Sequence, residues 1–320
     1  MDRPIVFMFS GQGSHYYQMG RALFDQEPLF RDWLVRGHQR VSEWTSLSML
    51  DQLYHDQHKK SDLFNQTLYT HPCIFMVEYA LAQVVMSLGV KPHYLLGTSM
   101  GEFAAACLAG CIGFEKALES VMKQAEHLET YCPSSGGMLA VLGPLSIYEE
   151  HPLLIDHTTL ASQICDTHFV VSGENETLDF AEQLLKEKDI LFQRLAVSQS
   201  FHSPGISPAA AAYTRFLRDH VYEPPTLPLV SCAIKGSIDT IPPTYFWDII
   251  QWPIRFRETI QNMEKKGSFT YLDLGPSGTL ATFAKYHLAP NSQSVALPLL
   301  TPFGQDMKNL QHLLKTAASK

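Results

Sequence analysis

The amino-acid sequence predicts an α/β fold in which helices cover a parallel sheet and a smaller strand–helix unit is inserted. Apolar runs of strand length alternate with segments of helical periodicity, which is the order expected of a parallel sheet with crossover helices. The chain has 320 residues, of which 45% are hydrophobic, so it can bury the core of a large domain. Between two regions of this α/β character, short strands and one helix follow each other closely.

Two buried strands in the first half of the chain each lead into a glycine-containing turn. The runs Ile-Val-Phe-Met-Phe and Tyr-Leu-Leu are short and apolar, as expected of strands covered on both faces. A segment of helical periodicity lies between them, and the segment after the second turn is rich in alanine, the strongest helix former. In chain order the predicted elements are strand 5–9, helix 72–85, strand 94–96, helix 102–109 and helix 114–129.

The second half of the chain begins at a boundary, 133–137, where the sequence reads Pro-Ser-Ser-Gly-Gly. A mixed strand–helix unit follows, and the chain then returns to α/β character. The predicted elements are strand 138–142, a loop, strand 168–171, helix 178–187, strand 191–197, and strands near 229–232 and 270–272. We therefore predict a large subdomain formed by residues 1–133 and 199–320, and a small inserted subdomain formed by residues 134–198.

The composition argues against several kinds of partner. Lys and Arg are scattered along a chain of net charge −8, which argues against nucleic acid. No apolar run approaches the roughly 20 residues of a membrane span, and the apolar start of the chain is too short for a signal peptide. The six cysteines form no CxxC pair and are typical of buried thiols in a reducing compartment. We therefore expect a cytoplasmic protein that does not enter a membrane.

Residues 97–101, Gly-Thr-Ser-Met-Gly, match the GxSxG pattern of a nucleophile elbow. In such a turn the serine sits in a strained backbone conformation at the end of a strand. The following helix offers free N–H groups and its positive dipole end to an oxyanion. The pattern alone occurs often by chance, but an apolar strand precedes it here and an alanine-rich helix follows. Ser99 is therefore the candidate nucleophile of an acyl-transfer reaction.

A serine nucleophile requires a general base, and the chain contains 14 histidines. His202 is the candidate because it lies where the predicted insertion returns to the main sheet, a junction that can present a side chain to a cleft. His71, directly before Pro72, is consistent either with a cap on the following helix or with a place in the pocket. The turn 10–14 is consistent either with a second oxyanion donor or with a plain glycine turn. No HxH, HExxH or CxxC pattern predicts a metal site.

Taken together, these motifs resemble the malonyl-CoA:acyl-carrier-protein transacylase family, or acyltransferase family, and they occur in the family's order. The matching segments, which span nearly the whole chain, are Phe-Ser-Gly-Gln-Gly-Ser at 9–14, Gly-Thr-Ser-Met-Gly-Glu at 97–102, Gly-Met-Leu-Ala-Val at 137–141, Phe-His-Ser at 201–203, Pro-Ile-Arg-Phe at 253–256 and Leu-Gly-Pro-Ser-Gly at 274–278. The resemblance implies a hydrolase-like α/β core with an inserted ferredoxin-like subdomain, which agrees with the insertion predicted above.

The resemblance also implies roles for individual residues. Ser99 is the expected nucleophile and His202 the expected base. The backbone N–H groups of Gln12 and Met100 are expected to form the oxyanion hole. In the family, an Asn or Gln orients the histidine through its backbone carbonyl, and this chain has Ile249 at that position, so we expect the Ile249 carbonyl to orient His202.

The departures from the family pattern lie in the expected acyl pocket. Members that accept malonyl carry an arginine on the helix after the elbow helix, where a guanidinium pairs with the free carboxylate. The corresponding residue here is Gln124, so we expect uncharged acyl groups; the alternative is that another cation takes the arginine's place. Thr98 stands in place of the family's histidine before the nucleophile, and His71 in place of its glutamine before the helix proline. With Phe201, these residues form the expected substrate pocket.

Among the family's members, this combination is most similar to the stand-alone acyl hydrolases of trans-acyltransferase polyketide synthases. The resemblance therefore implies that uncharged acyl groups, such as acetyl, are released from acyl carrier proteins through a Ser–His acyl-enzyme. The alternative is a trans-acting acyltransferase that loads a non-malonyl group; a third, non-enzymatic possibility is a carrier-protein docking module. The expected partners are an acyl carrier protein and small acyl thioesters. No metal or organic cofactor is implied, because the phosphopantetheine arm belongs to the substrate.

Overall fold

Two sheets and their covering helices make up the computed structural model, which describes residues 3–132 and 136–318. The strands are β1 (Ile5–Phe9), β2 (Tyr94–Gly97), β3 (Gly136–Leu142), β4 (Thr159–Cys165), β5 (His168–Glu174), β6 (Leu191–Arg194), β7 (Leu229–Ser231), β8 (Gly236–Ile238), β9 (Thr270–Asp273) and β10 (Val295–Pro298). The helices are α1 (Arg21–Gln26), α2 (Pro28–Trp44), α3 (Met49–Tyr54), α4 (Thr67–Ser87), α5 (Gly101–Leu108), α6 (Phe114–Tyr131), α7 (Ser146–Glu149), α8 (Pro152–His157), α9 (Asn175–Glu187), α10 (Ala210–Leu217), α11 (Tyr245–Gln251), α12 (Phe256–Glu264), α13 (Thr279–Tyr286) and α14 (Asp306–Ala318).

The larger sheet has six strands in the order β10-β9-β1-β2-β7-β8. Every neighbouring pair from β10 to β7 is parallel, and only the edge strand β8 pairs antiparallel with β7. The central strand β1 is buried at all five positions, because helices cover both faces of a parallel sheet. The predicted α/β fold with a parallel sheet is therefore confirmed. The carboxyl ends of β1 and β2 lie side by side, with Phe9 opposite Gly97.

Helix α4 is longer than predicted. It begins at Thr67, so that Pro72 lies inside the helix. The helix cap is Gln66, and His71 therefore does not cap a helix; of the two interpretations of His71, the cap is wrong. Residues on all sides of α4 are buried, because the helix packs between α2, α6 and α5.

The smaller sheet consists of the four antiparallel strands β4-β5-β3-β6. Its chain order of one strand, helices, two strands, a helix and a last strand is that of a ferredoxin-like β-α-β-β-α-β unit. Strand β4 occupies a segment that the sequence analysis assigned to a loop. The limits 134 and 198 of the small subdomain remain a prediction, and the boundary residues 133–135 lie outside the described residues.

The smaller sheet contacts elements outside it through its edge strand β4, which packs against α12 and α13. The Ile254 amide donates a 2.8 Å hydrogen bond to the Ala161 carbonyl of β4, so the segment after α11 reaches the edge of the smaller sheet. Within residues 3–132 and 136–318, no helix combines the length and the apolar character needed to cross a membrane.

Candidate active site

Ser99 lies in a tight turn between β2 and α5, and its backbone has a positive φ of 53°. A non-glycine residue adopts this conformation only at some cost in strain. The turn is held by hydrogen bonds from the Thr98 amide to the Phe9 carbonyl and from the Gly101 amide to the Thr98 carbonyl, both 3.0 Å. Gly101 is required here, because a Cβ at this position would lie 2.4 Å from the Phe9 carbonyl oxygen. The structure therefore has the geometry of a nucleophile elbow.

His202 reaches the elbow from the segment that follows the smaller sheet. Its Nε2 lies 2.9 Å from the Ser99 Oγ, and both side chains are buried. His202 also has a positive φ, 60°, and its amide donates a 2.8 Å hydrogen bond to the Ile250 carbonyl. The two residues singled out from the sequence are thus in direct hydrogen-bond contact, within the reach that a nucleophile and its base require.

The carbonyl that orients His202 belongs to Trp252, and the expectation for Ile249 is wrong. Nδ1 of His202 lies 2.7 Å from the Trp252 carbonyl oxygen. Ile249 is inside α11, whereas Trp252 follows the last helical residue and has an extended backbone, so its carbonyl is free to face the imidazole. Because a carbonyl only accepts, Nδ1 carries the proton and Nε2 presents its lone pair to Ser99. This is the tautomer that a general base needs.

Burial lowers the pKa of His202 to about 4, although its hydrogen bond to the Trp252 carbonyl raises the pKa in part. The desolvated ring disfavours the charged form. The imidazole is therefore neutral at neutral pH and can accept a proton.

The predicted oxyanion donors lie beside the elbow. In the described part of the chain, neither the Gln12 amide nor the Met100 amide donates a hydrogen bond. The turn after β1 touches the nucleophile, since a Cβ on Gly11 would lie 2.7 Å from the Ser99 Cβ and 3.1 Å from its Oγ. An oxyanion hole requires N–H groups that are free to donate beside the nucleophile, and this role of the two amides stays a prediction.

Replacing Gly11 by alanine is expected to lower kcat/KM at least tenfold. The added methyl would overlap the Ser99 side chain, and overpacking of this kind typically costs about 1–3 kcal/mol. The measurement is thioester cleavage together with the melting temperature. Gly236→Ala is the matched control, because a Cβ there would meet no atom within 4 Å. Equal activity of the two variants would show that the turn does not have to lie against Ser99.

Two buried carboxyl groups hold the turns of the site, and the sequence analysis missed both. Glu78 accepts hydrogen bonds from the Ser10 amide at 2.7 Å and the Ser10 hydroxyl at 2.9 Å. Glu102 accepts one from the Ser231 hydroxyl at 2.9 Å and another from the Tyr245 hydroxyl. Burial raises the pKa of Glu102 to about 8 and that of Glu78 well above its ordinary value. Each is the one acidic residue of an otherwise uncharged helix. Because an acidic residue is rarely fully buried unless it has a partner, its place in an apolar helix could have indicated a structural role from the sequence alone.

Gln124 is fully buried on α6. Its Nε2 donates a 2.6 Å hydrogen bond to the Phe246 carbonyl, so its amide is held in one orientation. The neighbouring Lys123 lies on the exposed side of the helix and pairs with Glu126 at 2.7 Å. The position where the resemblance implies an arginine in malonyl-binding members is thus occupied by a neutral amide, with the adjacent cation turned away from it.

The other expected pocket residues lie around the same site. His71 is fully buried; its Nδ1 is in hydrogen-bond contact with the Gln12 side-chain amide, and its ring centroid lies 5.6 Å from that of Phe201. Thr98 is buried in the elbow itself, where its backbone amide and carbonyl make the hydrogen bonds of the turn. The structure therefore brings His71, Phe201 and Gln12 together beside the Ser–His pair. Among the described residues, no three His, Cys, Asp or Glu side chains form a group that could hold a metal ion.

The fold and the site define a class, that of acyltransferase-type α/β proteins in which a serine on an elbow meets a histidine. The chain belongs to the acyl transferase domain family, whose model matches residues 6–319. The resemblance recognised in the sequence is confirmed by this match.

Curated relatives and solved structures agree with this family. The chain is 39% identical over 310 residues to "Polyketide biosynthesis acyltransferase homolog PksD" of Bacillus subtilis, covering 97% of this chain and 95% of that protein. It is 41% identical over 313 residues to "Polyketide biosynthesis acyltransferase homolog BaeD" of Bacillus velezensis, covering 98% and 96%. The structure of MCAT from Streptococcus pneumoniae superposes with a TM-score of 0.80 at 26% identity, over 98% of this chain and 99% of that one. The acyltransferase domain from the second module of the salinomycin polyketide synthase superposes with a TM-score of 0.84 at 26% identity, over 98% and 72%.

Proposed function

We propose that this protein is an acyl hydrolase of polyketide biosynthesis, which releases uncharged acyl groups from acyl carrier proteins. The observation that carries the proposal is the buried, neutral Gln124 at the position of the malonyl-binding arginine. A malonyl carboxylate buried there would lack its ion-pair partner, a loss that typically costs about 3–5 kcal/mol. The names of PksD and BaeD, which nearly match this chain in length, support a place in polyketide biosynthesis.

In the proposed reaction, the Ser99 Oγ attacks the thioester carbonyl while the His202 Nε2 takes the hydroxyl proton. The oxyanion is stabilised by the backbone N–H groups of Gln12 and Met100. The C–S bond then breaks, His202 returns the proton to the departing thiolate, and Ser99 is left acylated. Water, deprotonated by the His202 Nε2, then attacks the carbonyl carbon of the acyl-enzyme. The bond between that carbon and the Ser99 Oγ breaks, His202 returns the proton to Oγ, and the carboxylic acid is released.

The proposed base works without a carboxylate partner. The Trp252 carbonyl accepts a hydrogen bond from Nδ1 and so fixes the ring and its tautomer. A neutral carbonyl stabilises the imidazolium less than a carboxylate would. This arrangement is sufficient for a thioester, because a thiolate leaves more readily than an amine or alkoxide does.

The proposal is tested by intact-mass analysis of an acetyl-carrier protein incubated with catalytic amounts of enzyme. Free holo carrier protein and coenzyme A are added as competing acceptors. Loss of acetyl to water, absent with Ser99→Ala, is the expected result. Movement of acetyl onto an added acceptor, with the total thioester conserved, would instead identify a transferase that loads a non-malonyl group. An unchanged acetyl-carrier protein would contradict both activities for this substrate.

Replacing Gln124 by arginine is expected to increase acylation by malonyl thioesters at least tenfold. The guanidinium would supply the partner that a buried carboxylate needs. Acylation of Ser99 is measured by intact mass with malonyl and acetyl thioesters. Lys123→Arg is the control, because it places a guanidinium one residue away on the exposed side of α6. If malonyl acylation does not rise in Gln124→Arg, or rises equally in the control, then the charge at this position does not select the acyl group.

A further inference from the structure

The turn that follows β1 is held from within by two serine hydroxyls. The Ser14 Oγ donates a 2.7 Å hydrogen bond to the Gly11 carbonyl, and the Ser14 amide donates to the same oxygen at 3.4 Å. The Ser10 hydroxyl in turn donates to the Ser14 Oγ at 2.9 Å. Both serines are buried, where hydrogen bonds are electrostatically stronger than in water. The Gly11 carbonyl is therefore fixed in one direction.

Glu78 attaches this turn to helix α4. Its Oε1 accepts hydrogen bonds from the Ser10 amide at 2.7 Å and from the Ser10 hydroxyl at 2.9 Å, so the hydroxyl hydrogen is shared between Glu78 and Ser14 in a three-centre bond. The same helix holds the other side of the turn, because the Gln12 side-chain amide donates to the Thr70 hydroxyl at 2.7 Å. The two residues that flank Gly11 are thus both bonded to α4.

The peptide group between Gly11 and Gln12 links this anchoring to the candidate oxyanion hole. A planar trans peptide group has its C=O and its N–H pointing in opposite directions, and none of the described peptide bonds is cis. Because Ser14 holds the carbonyl, it also fixes the direction of the Gln12 N–H. Gly11 touches the nucleophile, since a Cβ there would lie 2.7 Å from the Ser99 Cβ. A rotation of this one peptide group would redirect the N–H and leave the Ser99 side chain in place.

We propose that Ser14, Ser10 and Glu78 are positioning residues, which aim the Gln12 N–H at the oxyanion by holding the Gly11 carbonyl. None of the three contacts the reacting atoms through its side chain; they act through the Gly11–Gln12 peptide group. Stabilisation of an oxyanion depends on donors that are held in place before charge develops. This inference rests on the proposed function in that the Gln12 N–H is taken to stabilise the oxyanion formed at Ser99.

The first test is Ser14→Ala, which removes the hydroxyl that holds the Gly11 carbonyl. The thiol released in the first turnover of an acetyl N-acetylcysteamine thioester gives the rate constant of Ser99 acylation and the half-saturating concentration. We expect the rate constant to fall at least tenfold and the half-saturating concentration to stay within threefold, because loss of one oxyanion donor typically costs about 10²–10³-fold in kcat. The matched control is Ser172→Ala, which removes another buried serine hydroxyl that bonds a glycine carbonyl, that of Gly137 at 3.4 Å. We expect it to keep both wild-type values.

The second test separates positioning of the oxyanion donor from a purely structural role. In a trifluoromethyl ketone that carries the N-acetylcysteamine arm, the Ser99 Oγ adds to the carbonyl carbon and its proton passes to the His202 Nε2. The product is a tetrahedral adduct with an anionic oxygen, which resembles the transition state of acylation. The corresponding methyl ketone is the ground-state control. In Ser14→Ala we expect the inhibition constant of the trifluoromethyl ketone to rise at least tenfold and that of the methyl ketone to change less than threefold.

Two substitutions of Glu78 test the far end of the series. Burial raises the pKa of Glu78 well above its ordinary value, so a neutral glutamine is a close replacement and keeps an oxygen that can accept from Ser10. Methionine has a similar volume and offers Ser10 no such oxygen. We expect Glu78→Gln to keep the acylation rate constant within threefold of the wild type and Glu78→Met to lower it at least tenfold. The melting temperature is recorded for each variant.

Wild-type acylation and wild-type inhibition constants in Ser14→Ala would overturn the inference. An unchanged inhibition constant for the trifluoromethyl ketone, together with slower acylation, would overturn it as well. If Ser14→Ala does not fold, the two Glu78 variants decide by the same measurements, and equal rates in that pair would contradict the inference. Acyl transfer in the acetyl-carrier experiment would overturn hydrolysis alone and leave this inference standing, because thiol release reports acylation before the acceptor is chosen.

Discussion

Replacing Ser99 by alanine is expected to lower the rate of thioester cleavage by about 10⁴-fold or more, the scale on which loss of a serine nucleophile acts in acyl-transfer enzymes. The physical reason is that no covalent intermediate can form. The donors at Gln12 and Met100 would still bind the carbonyl oxygen, so a small residual rate is expected. The measurement is release of free thiol from an acetyl thioester, combined with intact mass to detect the acyl-enzyme.

The control for this substitution is Ser237→Ala, a change of the same type at an exposed position on the edge strand β8. The melting temperature of Ser99→Ala is expected to stay close to that of the wild type or to rise, because alanine removes a buried hydroxyl whose partner, His202, is neutral. An acyl-enzyme that still forms in Ser99→Ala would show that another residue is the nucleophile.

Replacing His202 by alanine is expected to lower kcat/KM by about 10³-fold or more, within the range that a positioned general base contributes. Ser99 would keep its place in the elbow but would have no group to take its proton. His312→Ala, on the surface of α14, is the control and is expected to be as active as the wild type. If both variants retain full activity, the 2.9 Å contact between Ser99 and His202 has no part in the reaction.

The pH dependence tests the same residue in the unmodified protein. Because burial lowers the pKa of His202 to about 4, the neutral, active form of the base is present above that pH. We expect kcat/KM to be level from about pH 5 to pH 8 and to fall as the pH drops through about 4. Circular dichroism at each pH separates titration from unfolding. A midpoint near the ordinary histidine value of about 6.5 would mean that the base is solvated in the active enzyme.

Much of the fold could be predicted because local patterns and long-range packing agree. The β1 run is apolar at every position, which fits a strand with both faces covered, and the predicted and observed bounds coincide. Strand β4 was missed for the opposite reason. It is an edge strand of mixed exposure with register shifts against β5, so its sequence, Thr-Leu-Ala-Ser-Gln-Ile-Cys, has neither a continuous apolar run nor a clean alternation.

In the candidate site, the parts that depend on side-chain chemistry could be predicted from the sequence. The GxSxG pattern singled out Ser99, and the position of His202 after the insertion singled out the histidine that meets it. The orienting carbonyl could not be assigned, since every residue has a carbonyl and only the end of α11 decides which one faces the imidazole. The hydrogen bond between Gln12 and His71 was likewise beyond the sequence, because it joins two elements that are brought together only by packing.

The Trp252 carbonyl has a consequence for how the site can change over generations. A carboxylate that orients a histidine is lost by one substitution, whereas a backbone carbonyl is present whatever side chain stands at that position. The Trp252 side chain itself is substantially exposed. A substitution at this residue therefore changes the protein surface and keeps the hydrogen bond between the backbone carbonyl and the imidazole. The feature that must be conserved is the residue at which α11 ends, since this places the Trp252 carbonyl against the imidazole. An inserted or deleted residue near that point is therefore more damaging than any exchange of the tryptophan.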